Sequence, residues 1–331
     1  MLFAHYLPAQ NLVSPTLVPG ADSPRSSAGV NADGTQLAAN AQNSAAAIDQ
    51  ARLYQRTTSS STAGVTADGT ALPDSDASEP SDDSFGTQQI LKTQEPARDW
   101  VLGGDASVFY TSNAALTRRG EISDSFGVAN AALSWTHPLG KQFSLQLGGR
   151  TSLFRYNETS ELDFESLGAG VGLAWSPPRA PGLSLFLRYD FTELLDSGSD
   201  EILRDHEWTL GTEKTIVLGR AHAVSFGLVG MAGLSNPHSA QRDQLGAFAT
   251  YHLQLARNLD ADLLYRFGYY FYNQGGRRDR NQVFSASLNY HLANWIALGA
   301  FFSLGNNRST VSVFDYDVLS TGGGLSLAMR F

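Results

Sequence analysis

The sequence predicts an all-β protein: a closed antiparallel up-and-down barrel of about twelve strands, preceded by a long segment of low complexity. Three observations carry that expectation. From residue 98 onward apolar residues recur at every second position, the period of a strand with one apolar face. The connections between these stretches alternate between short and long. No run approaches the ~18–20 consecutive apolar residues that a spanning helix needs; the longest, such as Ile296–Phe302, are bounded by polar residues.

The totals narrow the chemistry. A chain of 331 residues holds two domains, or one barrel plus a tail. Cysteine is absent, which excludes a disulfide framework, a thiolate metal site and a lipid anchor on an N-terminal cysteine. The net charge of −9 is unevenly placed: residues 1–95 carry ten acidic and four basic groups, and the remaining 236 carry 22 and 19. A nearly balanced barrel with an acidic leader argues against nucleic acid as a partner. The seven histidines show no H-x-x-x-H spacing. No glycine-rich loop follows a strand and opens a helix. No metal, cofactor or enzymatic activity is expected.

Taken in order, residues 1–97 form the leader. Residues 21–95 are dominated by Ala, Ser, Thr, Asp, Gly and Gln, too few large apolar groups to offset the entropy of ordering, so the leader is expected to be largely disordered. Within it SAGVNADGTQL (Ser27–Leu37) recurs as TAGVTADGTAL (Thr62–Leu72). The copies read either as a duplicated docking peptide for a periplasmic partner or as a low-complexity duplication with two Asp-Gly turns. Residues 45–56 are compatible with one short helix.

The barrel, residues 98–331, divides into strands at 100–110, 125–137, 142–155, 164–176, 182–194, 204–217, 221–234, 242–256, 259–272, 281–292, 295–305 and 314–331. The first two and the sixth alternate least cleanly; Asn130 and Lys214 fall on apolar stretches and call for a bulge or an interfacial position. In the fifth, Leu183, Leu185, Leu187, Tyr189 and Phe191 oppose Ser184, Arg188 and Asp190. The ninth is the clearest: Leu259, Ala261, Leu263, Tyr265, Phe267, Tyr269 and Phe271 alternate with Asp260, Asp262, Arg266 and Gly268. The tenth sets Phe284, Ala286, Leu288, Tyr290 and Leu292 against Ser285, Ser287, Asn289 and His291. In the twelfth, Gly323, Leu325, Leu327, Met329 and Phe331 share one face.

Short connections fall at 137–141, 176–182, 217–221, 256–259 and 292–295, and longer polar ones at 111–124, 156–163, 195–203, 235–241, 273–280 and 306–313. Twelve antiparallel strands give five turns and six loops when both termini lie at the turn end. Trp135, Trp175, Trp295 and Tyr290 lie beside the short turns, where an interfacial aromatic girdle belongs. A soluble β-sandwich also alternates, but it leaves the sheet edges open, whereas in lipid closure is compulsory.

The final strand, ending on Phe331 with Leu325, Leu327 and Met329 at alternate positions before it, resembles the closing strand of bacterial outer-membrane β-barrels, porin-like proteins among them. That resemblance implies an assembly signal for the barrel-assembly machinery, residence in the outer membrane and both termini in the periplasm. Export is then required, and Leu2-Phe3-Ala4 followed by Leu7-Pro8-Ala9-Gln10 resembles the tail of a signal peptide without its basic start. Phe109-Tyr110-Thr111-Ser112-Asn113 resembles the Tyr-x-x-Asn of β-barrel porins, some of which accompany polysaccharide-export systems.

Alternation places Ser144, Gln146, Arg150, Arg188, Asp190, Glu207, Glu213, His252, Asp262 and Arg266 in the lumen. They line a wet path with a transverse field, or they pair with one another and fill a narrow barrel. Twelve strands lie between the filled eight and the open sixteen. The small inward residues Gly148, Gly211, Gly227, Gly268, Ser285, Gly299, Ser303 and Gly324 favour an opening. At the loops, Arg118, Arg119, Arg277, Arg278, Arg280 and Arg308 form a basic rim suited to lipopolysaccharide phosphates or anionic solutes. Glu158, Glu161, Asp163, Asp196, Asp200 and Glu201 lie opposite. Asp315-x-Asp317 and Asp205-His206 resemble in type the acidic and Asp/His pairs of omptin proteases, but strands six apart in a ring of twelve face each other across the lumen. The expected function is a channel for small hydrophilic solutes; the alternative is a non-conducting barrel that anchors or completes an envelope assembly through its leader.

The signal-like start predicts that the reading frame opens upstream of Met1. Sequencing the adjacent DNA checks this, and an in-frame stop codon directly before Met1 counts against it.

Overall fold

A computed structural model describes residues 100–331 except Lys141, Arg220 and Gln274. The leader at 1–97, with its repeat and its candidate helix at 45–56, lies outside the described residues. Twelve strands form one closed antiparallel barrel: β1 (Trp100–Thr111), β2 (Asp124–Leu139), β3 (Phe143–Tyr156), β4 (Phe164–Trp175), β5 (Leu183–Asp196), β6 (Glu201–Val217), β7 (His222–Asn236), β8 (Arg242–Ala256), β9 (Leu259–Tyr272), β10 (Arg278–Ala293), β11 (Ile296–Ser309) and β12 (Tyr316–Arg330). Each pairs with its chain neighbours, and β1 pairs with β12 to close the ring. At the seam the Trp100 and Phe331 backbones exchange hydrogen bonds, N–H to carbonyl in both directions, at 3.2 and 3.0 Å.

All twelve expected strands are present, with ends within four residues of those expected. The largest differences lie at the loop end: β10 begins at Arg278 and β11 runs on to Ser309. Strands of 12–17 residues exceed the ~9–11 that cross a membrane, and the surplus forms a polar collar. Because the hairpins continue into this collar, the contrast in connection length is weaker than expected. The turn at 176–182 has seven residues, whereas the loop at 197–200 has four. Positive φ at Gly140 (84°) and Gly182 (74°) closes two of the turns.

Alternation sorts the side chains as the sequence implies. On β9, Asp262, Leu264, Arg266, Tyr270 and Tyr272 are buried on the lumen side, while Leu263 and Tyr265 are exposed on the other. Around the ring the outward apolar belt includes Leu133, Leu147, Leu173, Leu187, Leu210, Leu228, Leu245, Phe284, Leu298 and Leu325, all exposed. A soluble protein rarely shows so continuous an apolar surface. At the turn end the belt is rimmed by Trp100 and Trp135 (6.3 Å apart), Phe143 and Trp175 (6.3 Å), His222 and Tyr251, and Trp295. At the loop end it is rimmed by Tyr110, Tyr189 with Trp208 (5.0 Å), Tyr265, and Tyr269 with Phe271 (4.8 Å). These are the two aromatic girdles of a membrane barrel.

The two awkward residues find places. Asn130 points into the lumen and donates to Asp105 Oδ2 at 2.7 Å, so β2 presents no amide to lipid. Lys214 faces outward one turn from the barrel's rim, and its ammonium reaches the Pro181 carbonyl, a short snorkel to the interface.

Four of the six inward glycines expected to leave an opening, Gly211, Gly227, Gly268 and Gly324, are instead filled. Phe186 lies across Gly211, Phe248 across Gly227, Tyr270 across Gly268, and Ser107 against Gly324. A Cβ on Gly322 would meet the rings of Phe109 and Phe301 at 2.7 and 2.8 Å. Gly211, Gly227 and Gly322 are recesses occupied by a neighbouring strand's aromatic ring, a pairing that pins register in sheets, whereas Gly268 is covered by Tyr270 of its own strand. Gly148 keeps free space, with its nearest neighbour at 3.7 Å.

The substitution Gly227→Ala puts a methyl against the Thr212 carbonyl and 2.5 Å from the Phe248 ring. It is expected to cost about 1–3 kcal/mol in denaturant unfolding of the detergent-solubilised barrel, while Gly148→Ala is near neutral. Equal midpoints for the two variants would refute the interlock.

Candidate functional site

Parity alone decides which side chains reach the lumen. On β3, β5, β6, β8 and β9 it sends Ser144, Gln146, Arg150, Arg188, Asp190, Glu207, Glu213, His252, Asp262 and Arg266 inward, every lumen residue expected from the sequence. They form two tiers. Nearer the loop end, Arg188 Nε pairs with Asp190 Oδ2 at 2.7 Å, and Arg150 Nη2 donates to the Thr192 hydroxyl at 3.3 Å. Asp190 lies directly across from Glu207 in register, and the field at Glu207 comes from Asp205, Arg242, Asp190 and Arg150. Nearer the turn end, His252 Nδ1 meets Asp262 Oδ1 at 2.7 Å, and His291 Nε2 meets Asp260 Oδ2 at 2.8 Å. Glu213 sits beside the Thr215 hydroxyl, which is bonded to Ser225.

Glycines on β4 make room for the long side chains of the first tier. A Cβ on Gly168 would lie 2.7 Å from Arg150 Nε, and one on Gly170 would lie 3.0 Å from Arg188 Nη2. Arg150 and Arg188 therefore lie along the wall over β4 rather than projecting across the lumen.

Three members were not evident from the sequence. Arg242 faces inward at the first position of β8, its guanidinium 4.7 Å from the centre of the Tyr270 ring and bonded to the Tyr272 hydroxyl at 3.4 Å. Asp205 also faces inward and accepts from Ser235 at 2.8 Å. Asp105 is held by Asn130. The signal existed: Arg242 has the parity of His252, and Asp205 that of Glu207.

The wall is lopsided. From β10 through β12 to β2 the inward positions are mostly Ser, Gly, Ala and Asn, including Asn289, Gly299, Ser303, Ser320, Ser326, Ser107 and Ser134. Below the collar, Asp105 is the one acidic group on that crescent among the described residues. The loop-end lining from β11 through β1 to β4 is aromatic: Phe109 stacks on Phe126 (5.1 Å) and touches Phe301 (4.6 Å), Phe126 stacks on Tyr156 (4.8 Å), and Phe154 on Phe164 (4.3 Å). Ala114, Leu162 and Ala240 from three loops pack onto this collar.

The loops are tied down. Asn113, the Asn of the Tyr-x-x-Asn stretch, is fully buried; its amide donates to the carbonyls of Thr117 (2.8 Å) and Asp317 (3.1 Å), fastening the first loop across the β1–β12 seam. Asp124, above the apolar belt, accepts from the Thr159 hydroxyl (2.6 Å) and from the N–H groups of Thr159, Glu158 and Ser125. Burial pushes its carboxyl up, but these four donors outweigh burial and hold it below the usual carboxylate range.

The basic rim is not one surface. Arg277 is buried: it pairs with Asp279 and lies 4.1 and 3.6 Å over the rings of Tyr272 and Phe314, so it closes the fifth loop rather than lining a rim. Arg118 reaches Asp315 at 3.7 Å, and Arg119 is exposed. Arg278, Arg280 and Arg308 face outward and are exposed, with Arg308 bonded to both oxygens of Asp317 (3.1 and 2.9 Å). Nor do the protease-like pairs assemble. Asp205 faces the lumen while His206 faces outward to the Tyr189 hydroxyl at 2.7 Å, and Asp315 accepts from the Ser309 N–H.

A closed even-stranded ring with an outward apolar belt, two aromatic girdles and a polar interior defines a transmembrane β-barrel of the bacterial outer-membrane class. Comparison with known structures agrees on the fold. An outer-membrane channel from Pseudomonas putida F1 matches with a TM-score of 0.51 at 14% identity, over 70% of this chain and 96% of that one. A bacterial polysaccharide outer membrane secretin matches at 0.43 and 12%, over 70% and 98%. A KdgM porin in complex with oligogalacturonate matches at 0.37 and 8%, over 68% and 98%. No family model and no curated protein sequence matches the chain.

Because the Asp124 carboxyl is held low, its contribution is present above the ordinary carboxylate range, near pH 4, and lost as pH falls through its lowered value. The loop at 157–163 is therefore expected to exchange amide hydrogens faster at pH 3 than at pH 7, after correction for intrinsic rates. In Asp124→Asn the protection is expected to be weak at both pH values. A pH-independent loop in the parent protein would refute the anchor.

Proposed function

We propose that this barrel is a narrow channel for small hydrophilic solutes, with its loop end outside the cell and both termini in the periplasm. The observation that carries the reading is the lopsided lumen below the aromatic collar. A crescent of charged groups, Arg150, Arg188, Asp190, Glu207, Glu213, His252, Asp262 and Arg266, faces a crescent of hydroxyl, amide and small side chains. Long charged groups on one wall and short ones on the other leave the axis of the path off-centre, next to polar atoms. Several of those atoms, Asp190 Oδ1, Glu213 Oε2 and Asp262 Oδ2, meet no protein donor among the described residues although they are buried, and buried carboxylate oxygens require donors. Water or a passing solute supplies them in this reading. Both signs of charge line the path, so it suits polar or zwitterionic solutes rather than one class of ion. The structural likeness to an outer-membrane channel accords with this.

The aromatic collar favours a second reading, a barrel closed at its loop end that serves as a scaffold, with residues 1–97 as its periplasmic tether and an envelope or polysaccharide-export assembly as its partner class. In either case Leu325, Leu327, Met329 and Phe331, outward on β12, would present the assembly signal to the barrel-assembly machinery.

Planar-bilayer recording separates the two. The channel reading expects stable conductance steps in the full-length protein that persist when residues 1–95 are removed, and a reversal potential in a salt gradient that moves toward cation selectivity in Arg266→Glu, and to a lesser degree in Arg266→Gln. Silence of both proteins, under conditions where heat-shifted gel mobility proves the barrel folded, would leave the scaffold.

A further inference from the structure

We propose that Arg278 and Arg280, supported by Arg308, form a binding site on the lipid-facing side of β10 and β11 for the phosphate of a phosphorylated glycolipid headgroup in the outer leaflet. The inference uses the orientation proposed above but not conduction.

Direction and height come first. On β10 the inward residues are Asp279, Asn281 and Val283, which turns Arg278, Arg280, Gln282 and Phe284 outward. Phe284 and, across from it, Leu304 are the last apolar residues of the belt; Gln282 and Asn306 follow, then Arg280 and Arg308. At ~3.3 Å per residue along a strand tilted by ~40°, Arg280 stands roughly 5 Å beyond Gln282. That is the level of headgroups, not of acyl chains.

Charge comes second. Arg280 and Arg308 are direct cross-strand partners, and like charges directly opposite one another are unfavourable unless an anion joins them. Arg308 is held by Asp317 and by the carbonyls of Asn307 (2.9 Å) and Tyr316 (3.1 Å). Arg278 and Arg280 meet no carboxylate among the described residues. Elsewhere in the collar outward arginines are countered: Arg155 lies 2.8 Å from Glu165 and 4.0 Å from Asp163, and Arg204 binds Glu193 at 3.1 Å as well as Glu201. Among the outward strand arginines of the collar, those without a carboxylate partner among the described residues are the two on β10.

The surroundings distinguish a lipid from a free anion. Tyr269 and Phe271 of β9 lie directly across from Arg280 and Arg278, and the Tyr265 hydroxyl donates to Gln282 at 3.0 Å. Below them an outward groove of about 440 Å³ is lined by Tyr265, Gln282, Phe284, Leu304 and Leu319 together with Glu121 and Asp317. A phosphate seated between the arginines leaves an attached acyl chain over this groove. Guanidinium pairs hold phosphate through charge-assisted hydrogen bonds.

The test titrates detergent-solubilised full-length protein with phosphorylated lipid A, its dephosphorylated form and inorganic phosphate. Wild type, Arg278→Gln/Arg280→Gln and, as a collar control, Arg155→Gln are compared, each accepted only with heat-shifted gel mobility. Having lost its charge-assisted hydrogen bonds to the phosphate, the double variant is expected to bind phosphorylated lipid A at least ~10-fold more weakly. Arg155→Gln should be unchanged, and added salt should weaken wild-type binding. If the double variant does not fold, the phosphate dependence of wild-type binding decides. Equal affinity of wild type for both lipid forms, or of wild type and double variant for the phosphorylated one, overturns the site. Competition by inorganic phosphate at the lipid's own concentration overturns the lipid as its occupant.

Discussion

Everything in this molecule depends on the pairing of its first strand with its last. An open twelve-stranded sheet in hydrocarbon would expose two rows of unpaired N–H and C=O groups, each costing several kcal/mol. The ladder from Val101↔Arg330 to Thr111↔Ser320 removes both rows at once. Closure forces an even strand number in an up-and-down ring and brings both ends of the barrel to one rim, where Trp100 and Phe331 exchange backbone hydrogen bonds. It also fixes the division of labour within each strand, because a ring has only an inside and an outside. The small residues on β12 follow from the same requirement. With glycine at 322 and 324, the seam draws close under Phe109, Phe301 and Ser107. Asn113 then locks the seam from above by bonding the Asp317 carbonyl.

How much of this was legible in the sequence depended on whether parity could be applied. Where a strand is long and regular, as in 259–272, the order of residues gave direction, partners' faces and boundaries together. The inward set on β3, β5, β6, β8 and β9 was legible for that reason. Parity fails at strand ends and in loops. Arg242 opens β8 and escaped notice, and Arg277, four residues of loop beyond Tyr272, folds inward onto Tyr272 and Phe314 through contacts that no periodicity encodes. The small inward residues misled for a different reason. Glycine states that space exists at its own Cβ position, not what fills it, and the filling aromatic sits on another strand: Phe186 for Gly211, Phe248 for Gly227. Connection lengths were blurred because hydrogen-bonded hairpins continue past the membrane, a matter of polar residues pairing in water.

The interior resolves into layers rather than a uniform bore. Passing from the loop end, the aromatic collar gives way on β3–β9 to the tier around Arg188, Asp190 and Glu207. Next comes an apolar layer of Phe248, Leu264 and Val283, and then the tier of Glu213, His252 and Asp262. The apolar layers are where the barrel is held in register; the charged tiers are hydrogen-bonded to their neighbours along the wall, over recesses that Gly168 and Gly170 provide. Side chains that lie along a wall occupy less of the axis than side chains that cross it.

The charged tiers also bear on purpose. A buried ion pair adds little over well-packed apolar residues of the same volume, and often less than nothing, because both ions must leave water. The molecule already fills space with Phe, Tyr and Leu wherever filling is the requirement, as at Phe154 and Leu264, both almost wholly buried. A barrel that needed only to be solid would extend those layers through the wall between β3 and β9. Instead that wall keeps Arg188 beside Asp190, His252 beside Asp262 and the Thr215 hydroxyl beside Glu213, and the second carboxyl oxygens of Asp190, Glu213 and Asp262 find no donor among the described residues. Such an arrangement is costly in a dry interior and cheap in a wet one. On the channel proposal, water reaching these tiers beside the small crescent opposite would account for both the retention of the charges and their incomplete pairing.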